Sequence, residues 1–60
     1  MTRKHFAEIA ETIRIQRANA HSVDALAAIE SLALALCSDF KRANTHFKRE
    51  TFLRACGIDA

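Results

Sequence analysis

A long stretch without glycine or proline constrains this 60-residue chain more than any other part of it. It runs from Ser22 to Ala43 and is rich in Ala and Leu, a composition that predicts one long α-helix. Ser22 is suited to the N-cap, and Asp24 would meet the positive end of the helix dipole. Lys41 and Arg42 would fall in the last turn, at the negative end. At about 1.5 Å per residue this helix spans about 30 Å, the width of a small domain.

Two shorter segments complete the predicted architecture. Apolar residues recur every three to four positions over Thr2–Arg17, which predicts an amphipathic helix with Thr2 as its N-cap. Residues 18–21 leave room only for a short connection, so the first two helices are expected to form an antiparallel αα-hairpin. The second helix is then expected over Val23–Ala43, and a third over Arg49–Cys56.

The third predicted helix is short, and both of its ends carry capping signals. Phe47 and Phe52 flank Lys48 as in a hydrophobic staple, whereas Lys48 is a poor N-cap because a cation offers no acceptor. Gly57 followed by Ile58 is typical of a Schellman ending. The sequence therefore predicts an all-α fold of three helices in a single domain: a hairpin with a long central helix, and a short C-terminal helix.

Alanine supplies much of the apolar content, so the predicted core depends on few large side chains. These are Phe6, Ile9, Ile13, Leu26, Ile29, Leu32, Leu36, Phe40, Phe47, Phe52 and Leu53. A chain this short buries only about 60% of its unfolded surface, which leaves a thin margin of stability. Small scaffolds often compensate by sharing their core with a second copy or another protein, so association is the first functional inference.

Four apolar residues lie off the predicted core faces and are the candidate protein interface. Ile15 breaks the amphipathic pattern of the first helix, and Val23, Ala27 and Leu34 lie on a second side of the long helix. A helix that is apolar on more than one side is usually covered on more than one side. Either a partner covers these residues, or they are exposed to water as single apolar residues often are. The sequence leaves both alternatives open.

A basic cluster around the second predicted turn supports an alternative function, nucleic-acid binding. Five candidate contact residues lie between positions 41 and 54: Lys41, Arg42, Lys48, Arg49 and Arg54. Two helices joined by a short turn, the second beginning with basic residues, loosely resemble a helix-turn-helix. Against this, the formal charge of the whole chain is only +2, and the third helix uses two large apolar residues for packing. The first interpretation, association with a second copy or with a host protein, is therefore preferred.

The His and Cys residues show none of the spacings typical of metal sites. They are His5, His21, Cys37, His46 and Cys56, and no pair forms a C-x₂-C or H-x₃-H motif. A Cys–His nucleophile would also need a third group that orients it, and none is evident. We therefore predict no metal site, no cofactor and no enzymatic activity.

The sequence also bears on the compartment. Arg3 and Lys4 lead directly into amphipathic sequence, without the apolar segment of a secretory signal. Asp24 and Glu30 interrupt the most apolar run before it reaches the ~18 residues that a membrane span needs. Two cysteines without an export signal are expected to be free thiols in a reducing cytoplasm. These features predict a cytoplasmic protein that does not cross a membrane.

The two ends of the chain carry patterns that suggest a biological context. The chain opens with MTRKHFAEIAETIR, and residues 44–57 carry the pattern Asn-x-x-Phe-x-Arg-x-x-Phe-Leu-x-Ala-Cys-Gly. In these segments, about half of the chain, it resembles a group of very small proteins encoded by bacteriophages and prophages. Members often have Pro in the turn and Asp at the helix cap, where this chain has Thr45 and Lys48. The resemblance implies a setting inside a bacterial host and supplies no catalytic residues. The partner, a second copy or a host protein, is expected from the apolar helix faces and the small core.

Overall fold

Three helices make up the part of the chain that the structure describes, residues 2–58. The structure is a computed structural model in which α1 spans Arg3–Ala18, α2 spans Val23–Ala43 and α3 spans Arg49–Ala55. These residues contain no strand, which confirms the predicted all-α fold with a long central helix and a short C-terminal one. α1 ends one residue later than predicted, and α3 ends one residue earlier because Cys56 is its C-cap.

The two long helices begin with the caps that the sequence predicts. Ser22 Oγ accepts a hydrogen bond from the backbone N–H of Ala25 at 3.0 Å, so α2 has its N-cap bond. At α1, Thr2 is the N-cap, and its N–H donates to Nδ1 of His5 at 3.2 Å. That bond is the reciprocal half of a capping box, with His5 in the place of the usual Glu or Gln. Local chemistry therefore determines where both helices start.

α3 ends in the predicted Schellman motif. The N–H of Gly57 donates to the carbonyl of Arg54 at 3.0 Å, and the N–H of Ile58 donates to the carbonyl of Leu53 at 2.9 Å. Gly57 has a φ of 83°, in the left-handed region that favours glycine. At the other end Lys48 is the N-cap and makes no side-chain capping hydrogen bond, so α3 starts without the acceptor that most helices have.

Contacts at the helix ends define how the three helices lie together. Phe6 in the first turns of α1 packs against Phe40 near the end of α2, with ring centroids 4.9 Å apart. Arg17 in the last turn of α1 donates from Nη2 to Oε1 of Glu30 at 2.9 Å, so α1 and α2 are antiparallel. The same guanidinium donates from Nη1 to the carbonyl of Gly57 at 2.9 Å, just after α3. α3 therefore lies along the hairpin in the same direction as α1.

An aromatic cluster forms the centre of the core. Phe40, Phe47 and Phe52, three of the predicted core residues, pack against one another with ring centroids between 5.4 and 5.6 Å apart. Phe6 joins them from α1, 5.0 Å from Phe47 in an edge-to-face arrangement that aromatic pairs prefer. The full set of buried residues is Phe6, Ala10, Ile13, Ala33, Cys37, Phe40, Phe47, Phe52, Leu53, Cys56 and Ile58.

The core prediction was wrong for Leu32, which is 56% exposed. The reason is the position of α3, which packs on the side of α2 that carries Leu34. Leu32 lies about 160° around the helix from Leu34, so α3 cannot reach it. The hairpin therefore has one side covered by α3 and one side without a cover. We call the second the open side.

Candidate functional site

Four large apolar side chains of the described residues are exposed, and three of them belong to α2. Val23 is 81% exposed, Leu32 is 56%, Ile15 on α1 is 43% and Leu34 is 42%. Single exposed apolar residues are ordinary, so the question is which of these belong to a continuous apolar surface.

The predicted interface residues are all exposed, but they do not form one surface. Val23, Ala27 and Leu34 follow one edge of α2, because residues four and eleven apart lie on the same face of a helix. Ile15 lies nine residues after the buried Phe6, which is about 180° around α1. It therefore points away from the core on the far side of α1 and is separate from the other three.

Leu34 lies in a shallow groove between α2 and α3 whose margin is charged. Leu53 and Ile58 also line this groove. Around them lie four charged side chains: Arg17, Glu30, Arg49 and Glu50. Arg17 and Glu30 form an ion pair at 2.9 Å, with about a third of each side chain exposed. The Leu34 edge is therefore a small apolar surface enclosed by charges of both signs.

The open side carries a second apolar surface, centred on Leu32. Ile29 and Leu36 are only half-buried and lie within about 60° of Leu32 around α2. On α1, the side chain of Arg14 lies beside Gly57 at the end of α3. Ile9 is half-buried and lies about 140° around α1 from Arg14, so it is on the side away from α3. Half-buried Ile9, Ile29 and Leu36 thus line the seam between the two long helices, opposite α3.

The sequence interpretation missed the open side because it assigned all four of these residues to the core. The predicted helix lengths indicate that one side of the hairpin stays exposed. A helix of 7 residues is about 10 Å long, and α2 with its 21 residues is about 30 Å long. One short helix cannot cover both sides of so long a hairpin, so one side had to remain exposed.

The basic residues of the alternative prediction come together more closely. Lys41, Arg42, Lys48 and Arg49 line one groove between the end of α2 and the start of α3, together with Glu50. The fifth candidate, Arg54, is exposed in the last turn of α3 and does not line this groove. The structure thus groups four of the five predicted residues in one place.

Two of these cations are held in place by neighbouring groups. Lys41 donates from Nζ to the carbonyls of Thr45 at 2.7 Å and Phe47 at 3.3 Å, which ties the end of α2 to the following turn. Arg42 donates from Nη2 to Oδ1 of Asp39 at 2.7 Å on the exposed surface of α2. Within residues 2–58, Lys48 has no ion-pair partner.

A second groove extends the basic surface to α1. It is lined by Arg3, Phe6, Asn44, Phe47, Lys48 and Thr51, so Lys48 and Phe47 belong to both grooves. Arg3 was absent from the sequence prediction because it lies far from the cluster along the chain. Only the antiparallel packing of α1 on α2 brings it to the same end of the molecule.

The two cysteines lie in the core and are free thiols. Burial raises the pKa of Cys56 to about 11, and the neighbouring Cys37 adds to the effect. Burial also raises the pKa of Cys37, and the Arg49 guanidinium partly offsets this. Both groups are therefore protonated at neutral pH and behave as small apolar side chains. Among residues 2–58, no three His, Cys, Asp or Glu side chains come together as ligands for a metal ion.

None of the helices in the described residues combines the length and the hydrophobicity needed to cross a membrane. The mean hydropathy of the whole chain is close to zero. Compared with models of protein families, with curated proteins and with solved structures, the chain gives no match.

Proposed function

We propose that this chain is a non-catalytic interaction module that pairs with a second copy of itself through the open side of its hairpin. The observation that carries the proposal is Leu32, 56% exposed in the middle of the longest helix and flanked by half-buried Ile29 and Leu36. The resemblance of both chain ends to small phage and prophage proteins supports a role in the cytoplasm of a bacterial host.

Burial of apolar surface supplies the driving force for such pairing. Each Å² of apolar surface removed from water is worth about 25 cal/mol. When the open sides of two hairpins face each other, Leu32 of each copy becomes buried, and Ile9, Ile29 and Leu36 are removed from the water that still reaches them. The four long helices then surround one shared core, an arrangement typical of four-helix bundles.

The size of the molecule is compatible with this interface. A standard interface buries about 800 Å² of each partner, roughly a fifth of the 4469 Å² surface of this chain. The Cα extents of the molecule are 34 × 18 × 16 Å, so one broad face is of the same order.

The charges around the two apolar surfaces differ, and the difference favours the open side as the interface with a second copy. In a two-fold symmetric pair the same patch meets itself, so charges in the patch would face like charges. Beside Leu32 lie exposed Ala28 and Ala35, and α1 contributes Thr12 and Gln16, all of them uncharged. Asp39, seven residues from Leu32 along the same edge of α2, is charged but forms an ion pair with Arg42. The Leu34 edge, by contrast, is enclosed by charged residues, and a different protein is the more suitable partner for it.

The test compares Leu32→Glu with Leu34→Glu, two matched substitutions on opposite edges of one helix. We expect the parent to be a dimer by light scattering, with a Tm that rises with protein concentration. Leu32→Glu buries a carboxylate in the interface and should give a monomer, whereas Leu34→Glu should leave the dimer intact.

Other outcomes overturn the proposal in distinct ways. Dissociation by Leu34→Glu alone would move the interface to the edge with Val23 and Ala27. A monomeric parent at every concentration, with a Tm that does not change, would exclude self-association. In that case docking on a host protein is the alternative, and Leu32→Glu should then change the stability of the isolated chain by no more than ~0.5 kcal/mol.

A further inference from the structure

The charges of this chain are unevenly distributed along the molecule. Six of the nine Lys and Arg residues lie where α1 begins, α2 ends and α3 begins: Arg3, Lys4, Lys41, Arg42, Lys48 and Arg49. We call this region the basic end. At the opposite end of the hairpin, Arg14 is paired with Glu11 and Arg17 with Glu30. The small net charge of +2 therefore conceals a strong local excess of positive charge.

We infer that the basic end binds the phosphate backbone of a nucleic-acid duplex. Two adjacent grooves that share Lys48 provide a continuous path for a phosphate strand, with Arg3 at one side and Arg49 at the other. Asn44, Thr45 and Thr51 line the same path and add neutral hydrogen-bond donors, which often accompany Lys and Arg at phosphates. The path also contains the carboxylate of Glu50.

The hydrogen bonds of Lys41 fix a positive charge beside the groove, where an anion can bind. The Lys41 ammonium group is fixed by the carbonyls of Thr45 and Phe47, so the charge is held at the groove by the folded turn. These acceptors are uncharged, so they leave the positive charge of Lys41 unneutralised. Arg42 is paired with Asp39 on an exposed surface, where a phosphate can compete with the carboxylate.

The aromatic residues distinguish a duplex from single-stranded nucleic acid. Proteins that bind unpaired strands usually offer exposed aromatic side chains on which bases stack. This chain has no Trp or Tyr, and its four Phe residues are all buried in the aromatic cluster. Contacts to phosphates carry no sequence information, so binding should be nearly equal for unrelated duplexes.

The test measures binding of fluorescently labelled duplex DNA by anisotropy between about 50 and 200 mM salt. Arg3→Gln and Lys48→Gln are the variants, and Arg54→Gln is the control, since it removes the same charge from an exposed residue outside the grooves. We expect the parent to bind two unrelated duplexes alike, and the log–log slope of affinity against salt to fall by about 0.9 for each phosphate interaction that a variant removes. Arg54→Gln should leave the slope unchanged. Circular dichroism verifies that each variant is folded.

Several results would overturn the inference. They are no binding by the parent at the lowest salt, an equal loss of affinity in all three variants, and tighter binding of a single strand of the same length. Poly-glutamate that binds more tightly than the duplex would assign the surface to an acidic protein instead. The basic end lies on the side of α2 that faces α3 or at the end of the hairpin, so Leu32→Glu leaves it intact. That variant therefore separates a failure of duplex binding from a failure of self-association.

Discussion

The two sides of α2 differ in what covers them, although both are rich in apolar residues. On the covered side, Cys37 and Phe40 are buried beneath α1 and α3. On the open side, Leu32 is 56% exposed even though it is as apolar as any core residue. The difference arises from α3, a helix of 7 residues that packs on one side only. Burial in so small a protein is therefore set by which surfaces a short element can reach.

The same comparison separates stability from function. Residues on the covered side hold the monomer together, so changes there should lower the free energy of unfolding. On the open side, Leu32 is exposed and contributes little to the monomer, so a change at Leu32 should affect association instead. Substitutions on each side can test this division separately, beginning with the largest expected effect.

Phe52→Ala should largely unfold the protein. Phe52 packs against Phe40 and Phe47 and is 4% exposed, so truncation leaves a cavity in the centre of the aromatic cluster. Loss of a buried Phe costs about 3–5 kcal/mol, comparable to the entire stability of a small domain. Thermal unfolding followed by far-ultraviolet circular dichroism at neutral pH measures the loss.

The matched substitution on the open side is Leu32→Ala, measured in the same experiment at a protein concentration low enough to keep any dimer dissociated. Because Leu32 is more than half exposed, its truncation should change stability by no more than ~0.5 kcal/mol. Equal losses of stability for the two variants would contradict the division between the sides.

Gly57→Ala should cost about 1–2 kcal/mol. Gly57 ends α3 with a φ of 83°, which alanine adopts only with strain. A Cβ atom there would lie 3.6 Å from Cγ of Arg14 and 3.7 Å from Nη1 of Arg17, which are ordinary contacts, so the backbone alone causes the loss. Gly57→Asn is the control, because asparagine tolerates this conformation better and should lose less. An Ala variant as stable as the parent, measured by thermal unfolding, would show that the Schellman ending does not hold α3 on the covered side.

The features that the sequence predicts well are local ones. Ser22 as a cap, Phe47 with Phe52 as a staple, and Gly57 as a helix end depend on neighbours within a few positions, and all are confirmed. Such signals act through backbone hydrogen bonds and contacts that form within a single turn. These local signals can be identified in the sequence without knowledge of the tertiary structure.

The features that the sequence predicts poorly depend on the packing of distant elements. The periodicity of apolar residues places Leu32 at a core position. It is exposed because α3 packs on the other side of α2. The antiparallel packing places the start of α1 beside the end of α2. Phe6 therefore contacts Phe40 and Phe47, and Arg3 lines the same groove as Lys48. Periodicity identifies an apolar face but not the element that will cover it, so the candidate surfaces could be placed only approximately.

Lys48→Asp should stabilise the protein by about 1 kcal/mol. Lys48 is the N-cap of α3 and makes no capping hydrogen bond, whereas an aspartate accepts one from the helix N–H groups and suits the positive end of the dipole. Chemical denaturation by urea measures the gain. Arg54→Asp is the matched control: it makes the same charge change in the last turn, where a carboxylate is unfavourable, and should be slightly destabilising. If Lys48 contacts phosphate as inferred, the more stable variant should also bind duplex less tightly.

The smallest effect concerns the two thiols on the covered side, and it emerges only at alkaline pH. Burial raises the pKa of Cys56 from 9.0 to about 11, and it raises the pKa of Cys37 as well. Between the ordinary and the raised value, the folded chain retains protons that the unfolded chain has released. Stability must therefore fall as the pH rises from about 9 towards 11, and it is unaffected at neutral pH. The Tm measured at intervals from neutral pH to about pH 11 tests this.

Lysine residues also begin to titrate in this range, so the control is a variant with both Cys37→Ala and Cys56→Ala. It should be less stable than the parent at neutral pH, because Cys56 is fully buried, but its Tm should decline less steeply above about pH 9. Parallel curves for the two proteins would mean that the thiols titrate normally. Water would then reach the residues between α2 and α3, and the covered side would differ less from the open side than their burial indicates.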